Sequence, residues 1–214
     1  MEKFTTLTAI AAPLLRINID TDAIIPSREM KRVSKEGLAE GLFAGWRYLA
    51  PGSRDENPDF ILNQEPYRAA RILLSGVNFG CGSSREHAVW ALHEWGVRAI
   101  IAPSFGSIFQ GNCVRNGIVP VVLDNALVES LAAQVAADPV RNMVTVDLVA
   151  CVVTGPDGRR HPFTLPDADR DMLLEGLDSI AVTLKRDAEI LAFRERDRAR
   201  RPWIYLPPLP PGSA

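Results

Sequence analysis

Two consecutive strand–loop–helix units between Ala70 and Leu123 constrain this chain more than any other feature. Ala70 to Ser75 (ARILLS) is a short apolar run of the kind that fills a fully buried strand. A glycine- and serine-rich loop follows, and Ser84 to Trp95 then reads as a helix with Ala88, Ala91, Leu92 and Trp95 on one face. The unit repeats: Val97 to Ala102 is a second strand, Pro103–Ser104 opens a helix carrying Phe105, Ile108 and Phe109, and Gly117 ends it before the strand Ile118 to Leu123. Strands joined through helices run parallel, so this segment specifies an α/β core. The flanks differ. Thr5 to Ile17 alternates like strands, and Met143 to Val153 with Arg159 to Leu165 predicts a hairpin around Gly155-Pro-Asp-Gly158. The expectation is one mixed sheet with parallel β–α–β crossovers, helices packed on it and helical segments closing it after Asp167.

Charge and cysteine content narrow the function classes. With 24 basic and 26 acidic residues the net charge is −2, which offers no overall field for nucleic acid or anionic lipid. No apolar stretch reaches the roughly 18 residues that a membrane-spanning helix needs. Residues 7–15 (LTAIAAPLL) imitate a secretory signal only faintly, since one Lys stands beside Glu2 and Pro13 interrupts the run; a cytoplasmic location is expected. Cys81, Cys113 and Cys151 lack the spacing of a disulfide framework, a zinc ribbon or a cluster site. Residues 185–202 mix seven basic with four acidic side chains and read as a solvated helix, and 202–214 (PWIYLPPLPPGSA) as an extended tail. The predicted organisation is a single domain over 1–201, its end a helical extension, followed by that tail.

Three segments could carry chemistry. In Gly76-Val-Asn-Phe-Gly-Cys-Gly-Ser-Ser-Arg-Glu-His87 the glycines permit a tight turn, the next helix aims its positive end at it, and Ser83, Ser84 and Arg85 could surround a bound carboxylate. A dinucleotide fingerprint fails because Arg85 occupies the third glycine's place, and a mononucleotide loop fails for want of its lysine. A structural alternative stays open, because Ser83-Ser-Arg-Glu86 also matches a helix capping box. His87 and His93 lie six residues apart, about 120° around a helix, and do not form a metal pair. Asn18-Ile-Asp-Thr-Asp-Ala-Ile-Ile-Pro26 sets two carboxylates in a turn, which alone reads as a solvated Asx turn. The stretch from Ser104 to Gly117 could be an ordinary capped helix, with Asn112 and Asn116 at i, i+4 able to pin a loop.

Taken in order, NIDTDAIIP at 18–26, GVNFGCGSSREHAVWAL at 76–92 and SFGSIFQGNCVRNGIVPV at 104–121 resemble the small subunits of 3-isopropylmalate dehydratase, relatives of the swivelling carboxy-terminal domain of aconitase. The likeness extends through GWRYL at 45–49 and LLEGLDSIAVTLKRDAEILAF near the end. It implies a swivelling domain of β/β/α type and a hydro-lyase of leucine biosynthesis that isomerises 2-isopropylmalate to 3-isopropylmalate by loss and re-addition of water. It also implies a dicarboxylate substrate and a [4Fe–4S] cluster carried by a separate large subunit rather than by this chain. By the same resemblance Ser83 is the catalytic base, Ser84 and Arg85 hold a substrate carboxylate, and Asp22 orients a histidine of the large subunit.

One position departs from the family pattern. The loop after Pro26 reads Ser-Arg-Glu-Met-Lys-Arg32, with Glu29 where an aromatic residue is usual. In the family this loop faces the substituent that distinguishes one malate from another, and an inward carboxylate would oppose burial of an isopropyl group. The expectation is that Glu29 turns to solvent or pairs with a base, that Met30 borders the substituent, and that Lys31 or Arg32 approaches the distal carboxylate. A related hydro-lyase acting on citramalate, citraconate or homocitrate, and a non-catalytic anion-binding module, are the alternatives.

Overall fold

In the computed structural model, which describes residues 1–30, 36–82 and 85–205, the strand signals sort into two four-stranded sheets among the described residues. The first two strands, β1 (Thr6–Ala9) and β2 (Ala11–Leu14), are separated by Ile10 alone and belong to different sheets. β2 begins a parallel sheet that continues through β3 (Ile72–Ser75), β4 (Ala99–Ala102) and β5 (Val119–Val122), with registers Ala11↔Ile72, Ile72↔Ala99 and Ala99↔Val119. β1 instead pairs antiparallel with β6 (Val144–Asp147), followed in the sheet by β7 (Val152–Thr154) and β8 (Arg160–Pro162). The parallel and antiparallel strands expected in one sheet are thus divided between two. The expected strand over 143–153 is also two strands, because the chain turns between them and Cys151 takes a positive φ of 53°.

Every residue of β3 and β4 is buried, which accounts for their uninterrupted apolar sequence. Short helices α1 (Thr21–Ile24) and α2 (Ala44–Arg47) precede β3. The crossover helices are α3 (Glu86–Trp95) and α4 (Ser107–Arg115). α3 buries Ala88, Val89, Ala91 and Leu92 and stops at Gly96, whose φ of 110° closes the last turn. A longer helix, α5 (Asn125–Ala137), packs across β2, β3 and β4, and α6 (Asp167–Glu175) packs against α4. Ile72, Leu73, Leu74, Ile100 and Ile101 form the centre of the core.

These elements make up one compact unit, Met1–Gly176. A second unit starts at Leu177 and holds α7 (Ser179–Leu184) and α8 (Asp187–Arg200), with a 3-10 turn over Pro202–Ile204. α8 buries none of its residues, in keeping with its interleaved charges. Among the described residues no helix is long and apolar enough to cross a membrane.

Candidate active site

Three segments leave the carboxyl ends of β2, β3 and β4 and are knitted together by main-chain hydrogen bonds, where open parallel sheets bind their ligands. From the second segment the Gly80 N–H donates to the Ile19 carbonyl at 2.7 Å, and the Cys81 carbonyl accepts from Thr21 at 3.1 Å. Phe79 donates to the Ser104 carbonyl at 3.0 Å and accepts from Gly106 at 2.9 Å. The Asn78 amide N–H donates to the Ser104 hydroxyl at 2.9 Å, so Ser104 joins two loops instead of capping a helix, and α4 starts only at Ser107. Glycine is required at the crossing: a Cβ on Gly106 would stand 2.6 Å from the Gly80 carbonyl, and one on Gly80, whose φ is 71°, would enter the Phe109 ring.

The segments enclose an open cleft of about 260 Å³. Thr21 lines it from the first segment, Gly80, Gly82 and Arg85 from the second, and Ser107 and Ile108 from the third. Arg85 donates from Nη1 to Asp22 Oδ1, so two of the residues singled out in the sequence are ion-paired. The two acids of Asp20-Thr-Asp22 have separate duties. Asp20 accepts from the Ala23 N–H at 2.7 Å and caps α1, which leaves Asp22 exposed for Arg85.

The start of α3 bears on the capping alternative. Arg85 is the extended N-cap residue, at φ −124° and ψ 106°, and its side chain makes no capping bond. A capping box needs its acid at the third helical position, whereas Glu86 is the first. The Glu86 carboxylate accepts from Asn116 Nδ2 at 2.9 Å. Ser83 and Ser84 themselves, like Lys31 and Arg32, lie outside the described residues.

Glu29 is paired. Arg54 Nη2 donates to Glu29 Oε2 at 2.7 Å, Arg28 stands at 3.4 Å, and the Glu29 side chain is only 9% exposed. The bond holds the Arg54 guanidinium above its usual pKa, and the same guanidinium lies over the Tyr48 ring. Met30 packs partly buried against the core and is not part of the cleft wall described above.

Two contributors escape local sequence reading. Glu94, near the end of α3, accepts the backbone N–H groups of Gly37, Leu38 and Ala39 at 2.6, 2.6 and 2.8 Å. Asn116 links α4 to the first turns of α3, accepting from Trp90 Nε1 at 3.0 Å while donating to Glu86. Neither partner set is within helical reach in the sequence.

The cysteines do not fit an iron–sulfur cluster, which takes several converging thiolates. All three are free, Cys81 in the cleft wall, Cys113 on α4 and Cys151 in a turn. Burial pushes the Cys113 thiol well above its ordinary pKa, the opposite of what a thiolate ligand requires. Among the described residues no three His, Cys, Asp or Glu side chains converge on one point. His87 lies beside the Trp90 ring at 4.8 Å.

A parallel sheet with these loops at its carboxyl edge, set beside a small antiparallel sheet, is the arrangement of the aconitase carboxy-terminal class: the family model for the aconitase C-terminal domain matches residues 1–126, and a second, LeuD_N, matches 129–167. Within that class the chain belongs to the family of 3-isopropylmalate dehydratase small subunits. It is 64% identical over 206 residues to the protein of that name from Cupriavidus necator, covering 96% of this chain and 99% of that one. It is 50% identical over 204 residues to the one from Rhodospirillum centenum, covering 95% and 98%. The fold is shared with a crystal structure of 3-isopropylmalate dehydratase (leuD) from Methanocaldococcus jannaschii, at a TM-score of 0.60 and 23% identity over 88% of this chain and 99% of that one.

Proposed function

We propose that this chain, joined by a large subunit, isomerises 2-isopropylmalate to 3-isopropylmalate by removing and re-adding water, in leucine biosynthesis. The observation that carries the reading is the start of α3, where Arg85, the N-cap residue, lines the cleft and Glu86 is the first helical residue. A helix beginning at a cleft with a guanidinium beside it suits a carboxylate substrate. In this reading Ser83, as an oxyanion favoured by the helix end and Arg85, takes the proton from one carbon as hydroxide leaves the neighbouring carbon. In the re-addition a proton goes to that neighbour while hydroxide joins the first. The cluster, when bound on the large subunit, would supply the Lewis acid for the hydroxide. Ser84 and Arg85 hold one carboxylate, Lys31 or Arg32 meets the distal carboxylate, and Asp22 orients a histidine of the large subunit. Met30, which is outside the cleft wall of this chain by itself, borders the isopropyl group in the site completed by the large subunit. The ion pair of Glu29 with Arg54 supports the isopropyl substrate, because the one carboxylate that would oppose it is held by a base.

The [4Fe–4S] cluster is proposed to reside on the large subunit, since the thiols here suit no such group. Residues 1–201 are proposed to act as the swivelling domain and its helical extension, with 202–214 a tail. The test is to mix the purified chain with a cluster-loaded large subunit and follow dehydration of 2-isopropylmalate, citramalate and homocitrate-pathway substrates and hydration of the corresponding alkenes. Turnover of 2-isopropylmalate by the mixture, and none by this chain alone, is expected. Preference for another malate would overturn the substrate, and activity with cluster iron in the single chain would overturn the two-subunit reading.

A further inference from the structure

We infer that Asn116, through Glu86 and Trp90, is a positioning residue for Arg85. The inference rests on the reading that Arg85 binds a substrate carboxylate, and names what holds it in place. Arg85 is the N-cap of α3, so its backbone is set by the first turn of that helix. The Arg85 side chain makes no capping bond to this turn, and Asn116 braces it from outside. Its Nδ2 donates to Glu86 Oε1 at 2.9 Å and to the Asn112 carbonyl at 2.9 Å, while its Oδ1 accepts from Trp90 Nε1 at 3.0 Å. One amide therefore grips the residue after Arg85 and the residue one turn further on, and ties both to the end of α4.

α4 is itself fixed to the cleft. It starts next to Gly106, which is bonded to Phe79, and its Phe109 packs edge-on against Phe79 at 5.4 Å and closely over Gly80. The same helix thus contacts the glycine loop at its beginning and the Arg85 turn at its end. On this geometry Asn116 transmits the position of the cleft floor to the guanidinium without touching substrate. Asp22 holds the far end of Arg85, and Asn116 fixes where its backbone starts.

Polarity reversal tests this. Asn116→Asp sets two carboxylates against each other. Combining it with Glu86→Gln restores the two bonds to α3, because the new carboxylate accepts from the new amide and from Trp90; the Asn112 carbonyl loses the side-chain donor but keeps the backbone N–H of residue 116 at 3.1 Å. In the assembled enzyme Asn116→Asp should lower kcat/KM for 2-isopropylmalate about 10- to 100-fold, the scale of a misplacement near 1 Å, mainly through KM. The double variant should recover most of that loss, and Glu86→Gln alone should change kcat/KM less than about threefold, because its amide oxygen still accepts. Trp90→Phe, which keeps the packing and removes one donor, should raise KM by a smaller factor and serves if Asn116→Asp does not fold. Amide exchange of residues 85–90 in the isolated chain should be faster in Asn116→Asp and normal in the double variant. Wild-type kcat/KM in folded Asn116→Asp, or a double variant that recovers thermal stability but not KM, overturns the inference. A wild-type mixture without turnover would instead overturn the functional reading, and the exchange data would still report on the network.

Discussion

Arg85 Nη1 donates to Asp22 Oδ1 across 63 residues of sequence, so the residue expected to hold substrate and the residue expected to orient the partner's histidine occupy each other in this chain. A substrate carboxylate must compete with Asp22 for the guanidinium. Asp22→Asn should therefore lower KM and kcat together, since Arg85 is released while the orienting charge is lost. Arg85→Lys should raise KM, because a point charge does not reproduce the fork. Steady-state kinetics on the assembled enzyme check both, and a higher KM in Asp22→Asn would contradict the competition.

Ser83→Ala separates chemistry from capping. Because Arg85 is the N-cap residue of α3, the substitution should not cost the roughly 1 kcal/mol of a lost N-cap. Turnover should fall by about 10²-fold or more if the hydroxyl is the base. Urea melts and kcat measured side by side decide it, and near-normal kcat would remove Ser83 from the chemistry.

The Glu29–Arg54 pair makes a stability prediction and a selectivity prediction. Arg54→Ala leaves a largely buried carboxylate without its main donor and should cost about 1–3 kcal/mol in denaturant melts. Adding Glu29→Gln should restore part of that. Glu29→Phe should alter kcat/KM for 2-isopropylmalate only modestly, whereas Met30→Asp should reduce it, by placing an unpaired charge against the core. A Glu29→Phe variant that acquires 2-isopropylmalate activity absent from the wild type would reassign the substrate.

Gly80→Ala is expected to be among the most damaging single-methyl additions in the chain. The new Cβ would lie 2.1 Å from the Phe109 ring on a backbone with φ 71°. A loss of at least about 2 kcal/mol follows from overpacking and strain together. Thermal melts test it, and the combination with Phe109→Ala should regain part of the loss if the ring is the obstacle.

Acid should loosen the amino terminus. Glu2 has its pKa lowered from 4.5, chiefly by the hydrogen bond from Arg98 and then by its charge. A depressed carboxylate contributes stability above its unfolded value of 4.5 and loses it as pH falls through the lower folded value. Tm between pH 7 and pH 3 should fall less steeply in Glu2→Gln than in the wild type. Glu56, lowered by Arg68, contributes in the same direction, so the slope should diminish without vanishing. Identical slopes would show that the Glu2 pair adds nothing.

The parallel core was legible because buried strands and amphipathic helices leave local signatures: β3, β4 and β5 fall inside the runs 70–75, 97–102 and 118–123. The site loops were legible through glycine and through their order along the chain. What escaped depends on distant partners. Nothing local at Ile10 tells that Thr6 pairs with Asp147 while Ala11 pairs with Ile72. The pattern Ser-Ser-Arg-Glu fits a capping box as well as an anion loop, and nothing local tells that the helix starts at Glu86 or that Asn116, 30 residues away, donates to its carboxylate. Glu94 resembles any exposed acid on a helix until the N–H groups of Gly37, Leu38 and Ala39 are folded onto it.

The change of sheet at Ile10 sets an order of events on the ribosome. All strands of the parallel sheet, and the three loops at its edge, have been synthesised once residue 122 has emerged. β1 must wait for Val144–Asp147, more than 130 residues downstream, before its edge is covered. That closure spans more sequence than any pairing in the parallel sheet, whose strands are sequential neighbours, so β1 is expected to pair after them. Until then Thr6–Ala9 is an unpaired strand tethered by one residue to a sheet whose own strands are complete.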